Sequence, residues 1–444
     1  MKGALCLVVV VAACSGRVHH GVDAGPIDAS GDTLTAPGGE PSPTATKLTI
    51  TRHGMPITGV AVIFQAADSS LVTAVLTNEL GLAWAEMPPA GGYVTAIENL
   101  GADLDELTTF SQVAQGDSLS LELEPTGTIS EFYMSLTANA DGGASAHQLY
   151  TSCGGPFGID PLVPNDIQLA GCDGTADMLL LSLDSDGQPL RGSYFPAVTL
   201  PTGPAPTDAT TYPILALNGQ YASLTTRTFS YTNVPATIEY ISTYHALANA
   251  RGRTYDQTAG GAPVANAANL SVQMPDIATP TLTVTTTFAP SEPGQQLVYD
   301  ERSATTAPYA LDVASALLPA YTATPTFDVA TRTVTWTERV SGVSVDVVRA
   351  RLHIYRDDIP SGHAWGWRMI APRTGTTITY PQLPIFGFDF NPTTTDISGI
   401  DDLTTASIPG GYNAIRAHGF DDFTNIIMGS GGRLVVQTLT PSML

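Results

Sequence analysis

Alternation is the feature that most restricts what this chain can fold into. From Lys47 onward, apolar and polar residues trade places every second position in runs of four to seven, each closed by Gly, Pro, Asn or Asp. Leu48-Thr49-Ile50 alternates, Gly54-Met55-Pro56 turns, and Gly59 to Phe64 alternates again. Leu71 to Thr77, Ala83 to Glu86, Tyr93 to Ile97 and Leu119 to Leu123 continue the pattern. A period of two is the mark of a strand with one face buried. The expected class is therefore all-β, built of antiparallel sandwiches.

Beyond Pro125 the same grammar predicts strands over Ile129–Thr137, Gln148–Thr151, Met178–Leu183, Ala222–Tyr231, Ala236–Thr243 and Leu270–Met274. A further set covers Thr281–Phe288, Gln296–Tyr299, Arg332–Thr337, Val343–Arg356, Trp367–Ile370, Thr376–Tyr380 and Arg433–Thr438. Thr, Val, Tyr and Ile dominate these runs, as suits a pleated, half-buried surface. Helical spacing is confined to Ala310–Tyr321 and Tyr244–Ala250. With 444 residues, two or three domains are expected. The Pro-rich passage Asp276–Pro280 marks a boundary, giving β-rich units at 126–275 and 276–444, or one large unit from 126 to the end.

Charge excludes one class of partner. Lys and Arg number 18 against 41 Asp and Glu, for a net charge of −23, and only 13% of residues are charged. Nucleic acid is excluded as a partner, because phosphate binding needs clustered cations. An anionic lipid surface would repel such a chain as well.

The first residues carry an address. Met1-Lys2-Gly3 precedes an apolar run from Ala4 to Ala13 that is too short to span a bilayer. Its end, Val11-Ala12-Ala13-Cys14, resembles the lipobox of bacterial lipoproteins. The resemblance implies a signal peptide over 1–13 and a lipidated Cys14, with membrane contact through that lipid. Ser15 in place of the Asp that usually marks inner-membrane retention implies an outer-membrane address. Residues 14–46 are rich in Gly, Pro, Ser and Asp without apolar periodicity, which is tether composition with a reach of about 30 Å. His19-His20 within it are read as solvated.

The first folded stretch carries a second resemblance. The order G-x-P-I-x-G-V-x-V-x-F around Met55–Phe64, the Thr77–Gly81 hairpin and Pro88-Pro89-Ala90-Gly91-Gly92 before Tyr93 are similar to carboxypeptidase-regulatory-like (prealbumin-type) and bacterial Ig-like domains. The likeness covers 47–125 and implies a sandwich acting as stalk, spacer or binding module. The remainder resembles Thr/Gly/Pro-rich envelope lipoproteins of Gram-negative bacteria. The scarcity of Lys, with Lys47 alone beyond residue 13, fits that resemblance and leaves little scope for Schiff-base chemistry.

Four cysteines are present; Cys6 lies in the signal and Cys14 in the lipobox. Cys153 and Cys172 remain, and in an oxidising compartment they are expected to form a disulfide, with a metal site as the rival reading. Closing a loop of about 20 residues stabilises by roughly 3 kcal/mol.

No G-x-S-x-G, H-E-x-x-H, P-loop or dinucleotide motif occurs, so no cofactor is implied and no catalysis is evident. Three constellations are left. Asp184-Ser185-Asp186-Gly187 is read as a hairpin turn, with a calcium loop based on Asp184 and Asp186 as the weaker alternative. Period two places Arg349, Arg351, His353 and Tyr355 on one strand face, followed by His363, Trp365 and Trp367. Arg forks read carboxylates and aromatic faces stack on rings, so Arg351, His353, Tyr355, His363, Trp365 and Trp367 are the candidate site for a glycan or protein partner. Asp401-Asp402 with His418 and Asp421-Asp422 could form the acid/base site of a secreted hydrolase. Phe386, Phe388 and Phe390 are read as core. The functional expectation is a lipid-anchored envelope protein with a structural or binding role.

Overall fold

The computed structural model describes residues 34–52, 54–99, 104–123, 131–172, 174–201, 212–249, 252–275, 281–290, 293–303, 308–339, 343–357, 362–418 and 432–440. The chain is all-β, with sheets whose pairs are mostly antiparallel and only two short helices, Val313–Ala316 and Gly411–His418, among the described residues. The signal segment, Cys14, His19, His20, Asp276–Pro280, Asp421 and Asp422 lie outside those residues.

One sheet of twelve strands forms the spine. Its order is Gly252–Gly261, Ile238–Asn249, Thr281–Pro290, Gln295–Ser303, Arg433–Leu439, Ile397–Ser407, Val347–Arg356, His363–Pro372, Leu104–Val113, Gly92–Asn99, Ala61–Ala66 and Leu71–Leu76. Every neighbouring pair is antiparallel except His363–Pro372 with Leu104–Val113, which run parallel. The sheet thus takes strands from all three segments, 47–125, 126–275 and 276–444, so hydrogen-bonded continuity crosses both expected boundaries.

Each face of the spine meets its own core. On one side, Val62, Phe64, Val94 and Phe110 pack against Leu48, Ile50, Leu119 and Leu121 of a small sheet, forming the N-terminal sandwich. Val347, Ile370, Ile415 and Val436 complete that same core from the C-terminal segment. On the other side, Leu352, Ile354, Trp365, Trp367 and Met369 pack with Trp336, Tyr380 and Phe390. A seven-stranded sheet around Thr175–Leu183 and a three-stranded sheet around Glu131–Ala138 hold two further cores. Burial of whole aromatic side chains at roughly 25 cal/mol per Å² of apolar surface makes these layers the main source of stability.

Several local expectations change. The Ile238–Asn249 strand includes Tyr244–Asn249, where helical spacing is apparent; pairing with a strand on each side overrides a weak local preference. Ala310–Tyr321 contains one helical turn, Val313–Ala316, capped by the Asp312 carboxylate on the Ser315 N–H. The tether composition of 14–46 does not hold to its end. Leu34 packs on the core beside Ala74, the Thr35 carbonyl accepts from the Leu76 N–H, and Ser42 and Thr44 bond the Glu86 carboxylate. Cys153 and Cys172 are joined in a disulfide, Cα to Cα 5.5 Å. Phe390 is buried, and Phe386 and Phe388 pack half-buried against the same core.

Candidate binding trough

The Val347–Arg356 strand obeys its alternation: Ala350, Leu352 and Ile354 are buried while Arg349, Arg351 and His353 face outward, half-buried. The residues that answer them come from far away in the chain. Arg349 donates to Asp402 Oδ1 at 3.0 Å, and His353 Nδ1 lies 2.6 Å from Asp401 Oδ1. Arg351 is bonded to Glu106 and stands 3.8 Å from Asp401 Oδ2.

Two consecutive carboxylates on one face would break strand alternation, and the register explains how they do it. Arg351 pairs with Asp402 and Leu352 with Ile400, so Asp401 is the extra residue of a β-bulge. The bulge turns both Asp401 and Asp402 toward the arginines. Two glycines supply the floor. A Cβ at Gly366 would collide with the Glu106 carboxylate, and one at Gly399 with the His353 ring.

The charged face continues past Glu106 into a narrow crevice of about 30 Å³, lined by Glu98, Thr108, Glu122, Leu123 and Arg368 among others. Arg52 pairs with Glu98, and Thr51 donates to Glu122. The result is a trough whose ionisable groups come from seven strands and bridge the large and small sheets. Such interlocked, half-buried charges present both signs side by side rather than a single sign of charge. Among the described residues no group of three or more His, Cys, Asp or Glu side chains is arranged to hold a metal, and no helix is long and apolar enough to cross a membrane.

The sheet divides the six-residue candidate set. Arg351 and His353 lie in the trough, and Tyr355 stands at its exposed end, its hydroxyl donating to Asp357 at 3.2 Å. Trp365 and Trp367 register opposite Ile354 and Leu352, hence on the core face, and are 1% and 0% exposed. Neither can serve a ligand held by Arg351. The Trp367 indole donates to Thr109 Oγ1 at 2.9 Å. His363, also on that side, contacts Asp105 Oδ2 at 2.8 Å and packs tilted against Phe388, with ring centroids 4.2 Å apart. Burial raises the Asp105 carboxyl above its ordinary value against the opposing pull of His363.

Arg356 carries the alternation one step too far for a cation, onto the core face. It donates through Nε and Nη2 to Asp396 at 2.9 and 2.8 Å, and to the carbonyls of Asp389 and Asn391 at 2.7 and 2.8 Å. Its guanidinium lies 5.2 Å from the Trp365 ring and 5.4 Å from that of Phe388. An Arg in the apolar phase of a strand was the one sequence signal for this buried knot.

The remaining candidates are placed apart from the trough. Asp184 Oδ1 accepts the N–H groups of Asp186 and Gln188 at 2.9 and 2.8 Å, which closes the hairpin turn. Helix Gly411–His418 packs on the sandwich core through Ile415, with Tyr412 donating to the carbonyls of Ser111 and Ile370. The His418 side chain, Asp421 and Asp422 lie outside the described residues. Glu98, Glu106 and Arg368 gave no local sign of membership, because alternation reveals a strand's face but not its neighbour.

No family model matches this chain, and no curated protein matches it. Among solved structures it is similar to the Bacillus anthracis TIE protein at 10% identity and a TM-score of 0.15, covering 61% of this chain and 50% of that one. It is also similar to a Bacteroides ovatus protein described as an adhesin, at 5% identity and a TM-score of 0.18, covering 41% of this chain and 89% of that one. The chain thus spans half the length of the TIE protein, and at these scores the likenesses carry no argument about function.

Proposed function

We propose that this chain is a lipid-anchored protein of the outer membrane that binds a partner at the cell envelope through the charged trough. The observation that carries the binding role is the trough itself. Arg349, Arg351 and His353 interlock with Glu106, Asp401 and Asp402 in half-buried positions fixed by a bulge and two glycines. A merely solvated sheet face needs none of these devices. The anchor rests on the lipobox-like Val11-Ala12-Ala13-Cys14 and the tether composition that follows it.

Metabolic labelling with palmitate and membrane fractionation test the anchor. Wild type is expected in the membrane pellet and labelled, and Cys14→Ser soluble and unlabelled; a variant that still pellets refutes the anchor. The trough is tested with the soluble Cys14→Ser chain, which is expected to attach to isolated envelopes in a salt-sensitive way. Arg351→Glu is expected to abolish attachment, and undiminished attachment refutes the role of the trough.

A further inference from the structure

A second cleft lies where the seven-stranded sheet meets the edge of the spine. Tyr150, Gln188, Thr226, Thr258, Ser271 and Gln273 line it, with buried Val272 at its base, around a volume of about 360 Å³. That falls within the roughly 300–1,000 Å³ usual for ligand sites. In a chain of net charge −23, none of the described lining residues is charged.

The lining is held in place. Gln188 is fixed in its turn from both sides: its N–H donates to Asp184 Oδ1 at 2.8 Å and its carbonyl accepts from the Asp184 N–H at 2.9 Å. Gln273 Nε2 donates to Thr226 Oγ1 at 3.0 Å, and the Gln273 carbonyl accepts the Tyr255 hydroxyl at 3.0 Å. Tyr150 stands edge-to-face on the buried Tyr255 ring, centroids 5.1 Å apart. The site therefore presents two amides, three hydroxyls of Thr and Ser, and one aromatic ring, with the Gln273 amide, the Thr226 hydroxyl and the Tyr150 ring anchored before a ligand arrives.

We infer that this cleft takes a neutral saccharide. Among the described lining residues an apolar ligand would find little apolar surface to cover, a cation no carboxylate and an anion no guanidinium. Amides and hydroxyls each both donate and accept, which is what a polyhydroxylated ring requires, and a tyrosine offers its apolar C–H face a surface. The inference rests on the reading of the chain as an envelope binding protein but places the glycan contact about a different set of residues from the trough.

Affinity electrophoresis of the full-length chain tests it, in gels containing dextran or galactomannan as neutral probes and alginate as the anionic control. At least one neutral polymer is expected to retard wild type, and alginate is not. Gln188→Ala/Gln273→Ala, at two exposed positions and expected to keep the wild-type thermal melt, is expected to weaken retardation at least tenfold, as is Tyr150→Ala. Absence of retardation by either neutral polymer, or retardation unchanged in the Gln188/Gln273 double variant, overturns the proposal. Retardation lost in Arg351→Glu but kept in the double variant would assign the glycan to the trough and overturn the cleft alone.

Discussion

Removing the Arg356 guanidinium tests whether the buried knot on the core face organises the loop above it. Arg356→Met keeps the length of the side chain and removes its charge and four donated hydrogen bonds. The Asp396 carboxylate, 1% exposed, would then be left to Thr393, whose N–H donates at 2.7 Å and whose side chain also bonds it, and two carbonyls would lose their donor. Breaking one partner out of a buried ion pair costs about 3–5 kcal/mol, because an uncompensated charge is left behind. Replacing both partners, as in Arg356→Met/Asp396→Leu, should cost at least about 1.5 kcal/mol less than the sum of the single changes. Urea unfolding followed by tryptophan emission suits the test, since Trp336, Trp365 and Trp367 all lie in this core and only Trp84 lies elsewhere. The pH profile gives a sharper reading. Burial pushes the Asp396 carboxyl up, but the Arg356 fork and the Thr393 N–H outweigh it and hold it below its ordinary value of 3.8. A carboxyl depressed in the fold contributes stability that is present above the unfolded pKa and lost as pH falls through the folded one. The gap between wild type and Arg356→Met should therefore be widest at pH 6–7 and narrow below about pH 4. A loss under about 1 kcal/mol, or a gap independent of pH, would refute the reasoning.

Three further outcomes are expected. Cys153→Ala/Cys172→Ala, or reduction of the disulfide, should lower the stability of the unit containing Met178 and Leu180 by about 3 kcal/mol, read as a lower melting temperature for that transition in calorimetry. Asp105→Asn leaves His363 a partner while removing a buried charge whose pKa is raised; such a carboxyl costs stability at neutral pH, a cost relieved as pH falls through the raised value. The variant should thus melt no lower than wild type at pH 7, and its advantage should vanish as pH approaches 3.8; a lower melt at pH 7 contradicts this. Gly399→Ala should push His353 off Asp401 yet change stability by less than about 1 kcal/mol, since the ring is 39% exposed and free to swing outward. Envelope attachment should fall in that variant, and a large fall in urea midpoint would show the ring to be trapped.

Much of the fold was legible because period two survives at single-residue resolution. The strand expected over Thr281–Phe288 is Thr281–Pro290, and that over Arg433–Thr438 is Arg433–Leu439. Strands with Pro or Gly inside them were hidden. Pro189–Thr199 includes Gly192 and Pro196, and Ile397–Ser407 carries Gly399 and the Asp401–Asp402 pair, which by composition resembles a turn. The outward face of Arg349, Arg351 and His353 was readable from one strand, whereas its partners were not. Glu106 lies 245 residues from Arg351, and nothing local announces a partner at that distance. The same limit misplaced the tryptophans: their spacing beside the polar face was plain, but only the register with Leu352 and Ile354 shows which side of the sheet they occupy.

The parallel junction of Leu104–Val113 with His363–Pro372 also dictates an order of assembly. Trp367 meets Thr109 across 258 residues, so the first sandwich cannot finish its sheet until most of the chain has been made. Until then Leu104–Val113 is an open edge, and Val62, Phe64 and Phe110 lack the cover that Ile370 and Val436 later provide. Contacts this distant slow folding and lengthen the interval in which a bare edge can pair with the wrong strand. A fragment ending near residue 125 would be left in that interval permanently, which makes the first module a poor candidate for isolation.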